Sequence, residues 1–211
     1  MLRNIGVFSV SVLGVLFCLP AVALAGEYSI GAGIGTSNIQ GARTVGPGTP
    51  FLAGQQLDQD DTSFELFGSY RINRFVSIEL GYQDFGNATK TFALNPDLFF
   101  IQTPSDTQSV DITALSVGGV FEYPVTDAFS VFASGGLARH DIDVRWTSTL
   151  TLLPFGTAFS NHDISAYYGA GIRYRVSEPW ALRLSWRGSS PNAGGEEFDL
   201  STIAAALEYQ F

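Results

Sequence analysis

Two histidines are the residues of this sequence best suited to acid–base chemistry near neutral pH. His140 lies in LARHDID and His162 lies in SNHDIS. The serines and acids close enough in sequence to complete a hydrolase triad are Ser134, Ser160, Ser165, Asp141 and Asp163. Neither stretch contains the Gly-x-Ser-x-Gly turn that exposes a serine nucleophile. The simpler interpretation makes both histidines polar residues at a loop rim, so we predict no catalytic residue and no enzyme.

Two further motifs suggest a ligand, but each lacks a part that such a site requires. The acidic run DQDD, residues 58–61, gathers carboxylates but lacks the glycine turn and the distant glutamate of a calcium loop. The glycine-rich stretch GAGIG, residues 31–35, is not followed by a helix that could hold a phosphate. We therefore predict a solvated acidic loop, no metal site and no cofactor.

The start of the chain predicts export. Arg3 precedes an apolar run from residue 5 to residue 19, and Ala23-Leu24-Ala25 forms a small-residue cleavage site. We expect a signal peptide over residues 1–25 and a single mature domain over residues 26–211. Cys18 and the only methionine fall in the signal peptide. The mature domain therefore has no disulfide, although it is exported.

The charge balance excludes one class of partner. The chain carries 20 acidic residues against 11 lysines and arginines, for a formal net charge of -9. A nucleic-acid-binding surface is basic. Nucleic acid is therefore not an expected partner.

Strand periodicity dominates the mature region. Eight segments alternate apolar residues with small or polar ones, as a strand with two different faces does. They lie at residues 28–34, 63–71, 76–83, 114–123, 129–140, 168–175, 182–187 and 201–211. Phe67 and Phe132 fall on the polar faces of their strands. Val110, Ile112 and Ala114 have the opposite parity to residues 115–123, which predicts a bulge or a strand start there.

The connections between these segments alternate in length. Tight turns are expected at 71–75, 124–128 and 177–180, and long loops at 38–62, 87–108, 143–161 and 188–197. Short and long connections between an even number of strands are typical of a closed antiparallel barrel in the bacterial outer membrane. A soluble lipocalin-like barrel or sandwich would instead bury its apolar residues inside. We predict an all-β, closed, eight-stranded up-and-down transmembrane β-barrel whose last strand pairs with the first.

Charged residues on the inward faces predict a closed lumen. Side chains from opposite walls of an eight-stranded barrel meet and fill it, and buried charges must be paired. The predicted lumen charge network consists of Glu65, Glu79, Glu122, Glu208, Arg173, Arg175, Arg183 and Arg187, with Arg71 on the same face. Within it, we expect Glu79 to pair with Arg183 or Arg173.

Four stretches carry a resemblance to a known family. IELGYQDFG at 78–86, FSVFASGGLARHDID at 129–143, YGAGIRYRVSEPWALRLSW at 168–186 and the terminal LEYQF resemble the OmpA-type eight-stranded transmembrane domain. The ending, with Leu207, Tyr209 and Phe211 on one face, is similar to the signal read by the barrel assembly machinery. Many OmpA proteins continue into a peptidoglycan-binding domain, and this sequence stops, so cell-wall tethering is not predicted.

The resemblance implies an integral protein of the cell outer membrane. The implied partners are outer membrane lipids and lipopolysaccharide, the barrel assembly machinery, periplasmic chaperones and a surface ligand held by the long loops. The loops combine acids with the apolar stretches LFFI at 98–101 and LTLLPF at 150–155, and exposed apolar patches mark interaction sites. We expect a structural or surface-interaction role. The alternatives are a narrow channel for small or hydrophobic solutes and, third, a lipid-modifying hydrolase.

Overall fold

The computed structural model describes residues 28–43, 56–93, 105–148, 155–193 and 196–211. The predicted signal peptide and the apolar stretches at 98–101 and 150–154 lie outside these ranges. Within them, no helical segment is long and apolar enough to cross a bilayer.

The described chain is made of β-strands joined by short turns. The strands are β1 (Tyr28–Arg43), β2 (Gln56–Arg71), β3 (Val76–Ala93), β4 (Ser105–Pro124), β5 (Phe129–Ser148), β6 (Phe155–Ser177), β7 (Trp180–Ser189), β8 (Asn192–Ala193), β9 (Glu196–Glu197) and β10 (Asp199–Gln210). Strands β1 to β7 and β10 close into an eight-stranded barrel, and β8 and β9 form a small separate ribbon. All pairings are antiparallel. The predicted fold is confirmed.

Closure takes place between the first and the last strand. β1 pairs with β10 from Ser29↔Gln210 to Gln40↔Asp199. Beyond the strand, the amide of Phe211 donates to the carbonyl oxygen of Tyr28 at 3.0 Å. This closure leaves no free sheet edge at the level of these pairs, as hydrocarbon requires.

The two ends of the barrel differ. The connections at 72–75, 125–128 and 178–179 are short turns, and Tyr28 and Phe211 lie at the same end, which we call the turn end. At the opposite end, the loop end, β3 to β6 extend over 18, 20, 20 and 23 residues, whereas β7 has only 10. The predicted long loops were therefore too long, because strand pairing continues far into them.

The outer face carries an apolar band near the turn end. Its exposed large side chains include Ile30, Ile34, Leu80, Leu115, Val117, Leu137, Ile172, Leu182, Leu184, Ile203 and Leu207. Aromatic pairs border the band: Tyr28 with Tyr70 and Trp180 with Tyr209 at the turn end, and Tyr168 with Trp186 on the other side. Apolar bands between aromatic girdles are the surface that barrels present to lipid.

The apolar face changes sides above this band. On β5 the outward residues change from Leu137 to the exposed Arg139 and Asp141, while the inward Ile142 and Val144 become fully or almost fully buried. The extension beyond the band is therefore polar outside and apolar inside, like a water-soluble barrel.

This reversal corrects the predicted bulge in β4. Strand β4 pairs with β5 without interruption from Asp106↔Ser148 to Pro124↔Ser130, so its parity never changes. The register shift lies instead on β3, between Asp84 and Asn87, where Gly86 has a φ of 80°. Val110, Ile112 and Ala114 keep the inward parity of the strand and are apolar because the interior there is apolar.

Candidate functional site

The centre of the lumen holds a carboxylate shared by two arginines. Glu79 on β3 is 2% exposed. Its Oε2 lies 2.5 Å from Nη1 of Arg183 on β7, and its Oε1 lies 3.3 Å from Nη2 of Arg183 and 3.3 Å from Nη2 of Arg187. The first two contacts form a two-pronged pair, the strongest arrangement open to an arginine and a carboxylate. They join strands on opposite sides of the ring.

Two phenylalanine rings enclose the guanidinium of Arg183. Its Cζ lies 4.4 Å from the ring centre of Phe67 and 4.4 Å from that of Phe132. Added side chains at Gly31 and Gly171 would overlap these rings at 2.2 and 2.5 Å, so the glycines leave room for them. The two aromatic residues on polar strand faces are thus explained: a buried guanidinium gains from an aromatic face on each side.

A second cluster lies nearer the turn end. Arg173 on β6 contacts Glu122 through Nη1 and approaches Oε2 of Glu208 with Nε at 2.9 Å. Ser130 donates a hydrogen bond of 2.5 Å to Oε1 of Glu122. The approach to Glu208 is close but poorly aligned, and neither of its carboxylate oxygens has a hydrogen-bond partner in the described protein. A space of about 10 Å³ beside Glu208 and Arg71 has room for one water molecule.

The two clusters together form what we call the ion-pair layer: Glu79, Arg183, Arg187, Glu122, Arg173 and Glu208. Two members of the predicted network stand apart from it. Glu65 is buried, but it makes no ion pair among the described residues, and its Oε1 lacks a hydrogen bond. Arg175 is exposed at the turn end and takes part in no ion pair within the described ranges. Gln83, which sequence reasoning missed, accepts from Arg187 at 3.3 Å and donates to Thr202 at 2.8 Å.

Above the ion-pair layer, toward the loop end, the lumen is filled by hydrocarbon. We call this cluster the apolar layer: Ile39, Phe85, Ala88, Val110, Ile112, Ala114, Ile142, Val144, Phe198 and Leu200. Sequence reasoning missed it. The signal in the sequence is the inward parity of residues 110, 112 and 114, which predicts a break in the strand only if the whole lumen is polar.

His140 lies between the two layers and is 1% exposed. Its Nδ1 is 3.3 Å from Oγ of Ser165, and its Nε2 is 3.1 Å from Oγ of Ser189. The ring of Phe85 packs beside it at 6.2 Å. With a hydroxyl at each ring nitrogen, His140 connects β5, β6 and β7 as a buried polar brace.

The remaining candidate triad residues have other partners, face outward or lie farther along the strands. No carboxylate is among the described hydrogen-bond partners of His140. Asp163 instead accepts from the amide of Asn192 at 2.7 Å, and Asp141 pairs with Arg139 at 3.4 Å on the outer surface. His162 is exposed on the outer face of β6, and so is Ser160. Ser134 lies on β5 beside Gly169, away from His140 in the register.

The three residues of the predicted assembly signal share the outer face of the turn end. Leu207 and Phe211 are exposed, and Tyr209 is partly covered. The ring of Tyr209 meets Phe211 at 5.0 Å and Trp180 at 4.9 Å, edge to face in both cases. These aromatics form one continuous patch beside the chain terminus.

A closed eight-stranded barrel with a lipid-facing band and a filled lumen defines a bacterial outer-membrane β-barrel protein. The family model described as the outer membrane protein beta-barrel domain matches residues 9–211, and the chain belongs to that family. Its place is the outer membrane, so the turn end faces the periplasm and the loop end faces outward.

Curated relatives agree with this assignment. Outer membrane protein A of Klebsiella pneumoniae is 26% identical over 160 residues, which cover 72% of this chain and 42% of the relative. Outer membrane protein A of Shigella flexneri is 26% identical over 152 residues, covering 69% and 39%. The chain thus spans less than half the length of these relatives.

Solved structures share the fold at low sequence identity. Neisserial surface protein A has a TM-score of 0.52 and 11% identity, with 89% of this chain and 99% of that one covered. Ail, the attachment invasion locus protein of Yersinia pestis, crystallised with the heparin analogue sucrose octasulfate, has a TM-score of 0.50 and 15% identity, with 87% and 99% covered. Both are similar in architecture.

Proposed function

We propose that this protein is a closed, non-conducting barrel with a structural or surface-interaction role. The extension of β3 to β6 beyond the lipid-facing band would form a rigid platform on the cell surface. The observation that carries the proposal is the filling of the lumen by two different layers. The ion-pair layer occupies the membrane-spanning half, and the apolar layer occupies the extension above it.

The apolar layer supports the platform. Four neighbouring strands, β3 to β6, continue outward as a paired sheet whose inner face carries the buried Ile112 and Ile142. Strands with one solvated and one packed face are stable outside lipid. The extension of these strands therefore has a core of its own.

The same packing opposes the channel alternative. Ions crossing the lumen would have to separate Glu79 from its arginines and then pass through hydrocarbon, and both steps expose buried charge to unfavourable surroundings. The test is planar-bilayer recording of the purified, folded protein. We expect no steady conductance from the native protein. A reproducible open state would overturn the proposed closure.

Charge limits the kind of surface partner. The outer surface of the extension carries Asp111, Asp141, Asp143 and Asp199 against the bases Arg139 and Arg145. Ail was crystallised with a heparin analogue, a polyanion. We expect this chain to prefer neutral or cationic partners, since like charges repel. Cells displaying the protein should adhere less to heparin-coated than to cationic surfaces; stronger adhesion to heparin would contradict this.

Export and assembly complete the proposal. A signal peptide cleaved after Ala25 would deliver a mature chain that begins at Gly26, and the terminal aromatics would present it to the barrel assembly machinery after transport by periplasmic chaperones. N-terminal sequencing of protein from outer-membrane fractions tests the processing. A different mature N-terminus, or recovery of the protein in the soluble periplasm, would exclude it.

A further inference from the structure

A notch of about 180 Å³ interrupts the outer wall at the loop end, where the strands are shortest. Its position follows from one row of cross-strand neighbours. Asn38 on β1 pairs with Ser201 on β10, Ser201 with Gly188 on β7, and Gly188 with Tyr168 on β6. Gly188 contributes no side chain to this row, so the wall is recessed between Tyr168 and Ser201.

The lower part of the notch is aromatic. Trp186 lies two residues below Gly188 on the same face of β7, and its ring meets Tyr168 edge to face at 5.5 Å. The Tyr168 ring leans over Gly188, where an added Cβ would be 3.2 Å from its Cζ. Both rings remain substantially exposed. Each therefore offers a face to a molecule outside the barrel.

The upper part of the notch is polar. Ser190 donates to Oδ1 of Asp199 at 2.9 Å, and both side chains are exposed. Asn38 and Ser201 continue the polar surface across β1 and β10. None of the described residues that line the notch is basic. The lining suits hydroxyl groups.

The notch lies at the boundary between hydrocarbon and headgroups. Directly below it, Leu184 and Ile203 are exposed in the lipid-facing band. Tryptophan and tyrosine prefer this level of a membrane because their rings are amphipathic. Whatever fills the notch approaches from the outer leaflet.

We propose that the notch binds one sugar ring of a glycolipid headgroup in the outer leaflet. A sugar ring has an apolar C–H face that can pack on Trp186 and Tyr168, and hydroxyls that can donate to Asp199 and Ser201. The size agrees, because a cavity of roughly 150 Å³ already admits a benzene-sized ring. The acyl chains would lie on Leu184 and Ile203 below. The inference stands apart from the proposed platform role, since it needs only the barrel wall.

The test follows the indole N–H signals of the folded protein in nanodiscs by NMR. The sequence has three tryptophans, and the signal of Trp186 is identified with Trp186→Phe. Nanodiscs containing lipid A are compared with nanodiscs in which phosphatidylglycerol supplies the same negative charge. We expect lipid A to shift the Trp186 signal and to leave that of Trp180, at the turn end, nearly unchanged. Equal shifts with both lipids would overturn the proposal, because any lipid would then fill the notch.

Affinity provides a second readout with a matched control. Lipid A retained on the purified protein is counted by native mass spectrometry for Trp186→Leu and Phe64→Leu, the latter an exposed outer-face aromatic of β2 outside the notch. Loss of one aromatic contact should weaken retention about three- to tenfold in Trp186→Leu. Phe64→Leu should retain native levels. Equal retention by the two variants would refute the site.

A soluble sugar must be distinguished from a membrane-anchored one. The deacylated disaccharide of lipid A, added freely to nanodiscs without lipid A, should shift the Trp186 signal only at far higher concentration, because it lacks the acyl chains that concentrate it at the wall. An equal shift at equal concentration would show that the notch recognises free saccharide, contrary to the proposal. Heat-modifiable migration on gels verifies that each variant is folded.

Discussion

The membrane-spanning half of this barrel and its extension at the loop end are built from the same strands with opposite surfaces. In the membrane-spanning half, Leu137 faces lipid while Glu79 and Arg183 fill the lumen. In the extension, Arg139 faces water while Ile142 is fully buried. The strand direction does not change between them, and the pairing of β5 with β4 and with β6 continues through both without a shift. The comparison shows that strand parity fixes which residues share a face, and the surrounding solvent decides which face is apolar.

The ion-pair layer should give the largest effect. Glu79→Gln leaves Arg183 and Arg187 buried without their carboxylate, which should lower the free energy of unfolding by about 3–5 kcal/mol. The measurement is denaturant unfolding in phospholipid vesicles. The control is Asp141→Asn, which breaks the half-exposed pair with Arg139 and should cost at most about 1 kcal/mol.

A double-mutant cycle sharpens this prediction. Glu79→Gln combined with Arg183→Gln should cost less than the sum of the single changes, because removing both partners leaves less unpaired charge. The double mutant still contains Arg187, which also contacts Glu79 in the native protein. Part of the cost of Glu79→Gln therefore remains after Arg183 is replaced. Strictly additive effects would mean that the charges are separately solvated, which would remove the basis for a closed lumen.

The apolar layer should give the next largest effect. Ile142→Ala opens a cavity in a packed interior and should cost about 3 kcal/mol in the same assay. Leu137→Ala, five residues earlier on β5, is the matched control. Acyl chains can refill the space that it leaves, so its cost should be smaller. If Leu137→Ala proved equally costly, the extension would not have a core of its own.

The aromatic enclosure of Arg183 should matter less. Phe132→Leu keeps apolar volume but removes one of the two ring faces, and a buried cation–π contact is worth about 2 kcal/mol. Phe121→Leu, on the exposed outer face of β4, serves as the control for loss of an aromatic ring. Equal destabilisation by the two changes would show that Phe132 acts only by packing.

The terminal aromatic should affect stability least and assembly most. Phe211→Ser changes an exposed residue at the turn end, so the folded barrel should lose no more than about 1 kcal/mol. The heat-modifiable folded fraction in cells should nevertheless fall, because the proposed assembly signal loses its last aromatic. Gln210→Ser is the neighbouring control. Undiminished folding of Phe211→Ser in cells would show that the terminus is not read in this way.

Much of the fold follows from the sequence because lipid-facing strands alternate visibly. In one such run, the apolar Leu182 and Leu184 alternate with the polar Arg183 and Ser185, so the two faces of the strand can be assigned directly. The segments, the tight turns and the first-to-last pairing could all be predicted from such runs. The lengths of the strands could not be predicted in this way. Where the surroundings change from lipid to water, the outward residues become polar and the inward ones apolar, so the pattern of the membrane-spanning half no longer continues.

The sequence alone therefore determined the barrel, its membrane band and the charged residues that fill the membrane-spanning half of its lumen. Only the tertiary structure decided which charges meet, because partners such as Glu79 and Arg183 are 104 residues apart and depend on the register of every strand between them. It also decided that residues 110, 112 and 114 line an interior rather than mark a bulge. Parity is a local property of a chain, whereas the polarity of each face is set by what lies around it and across the lumen.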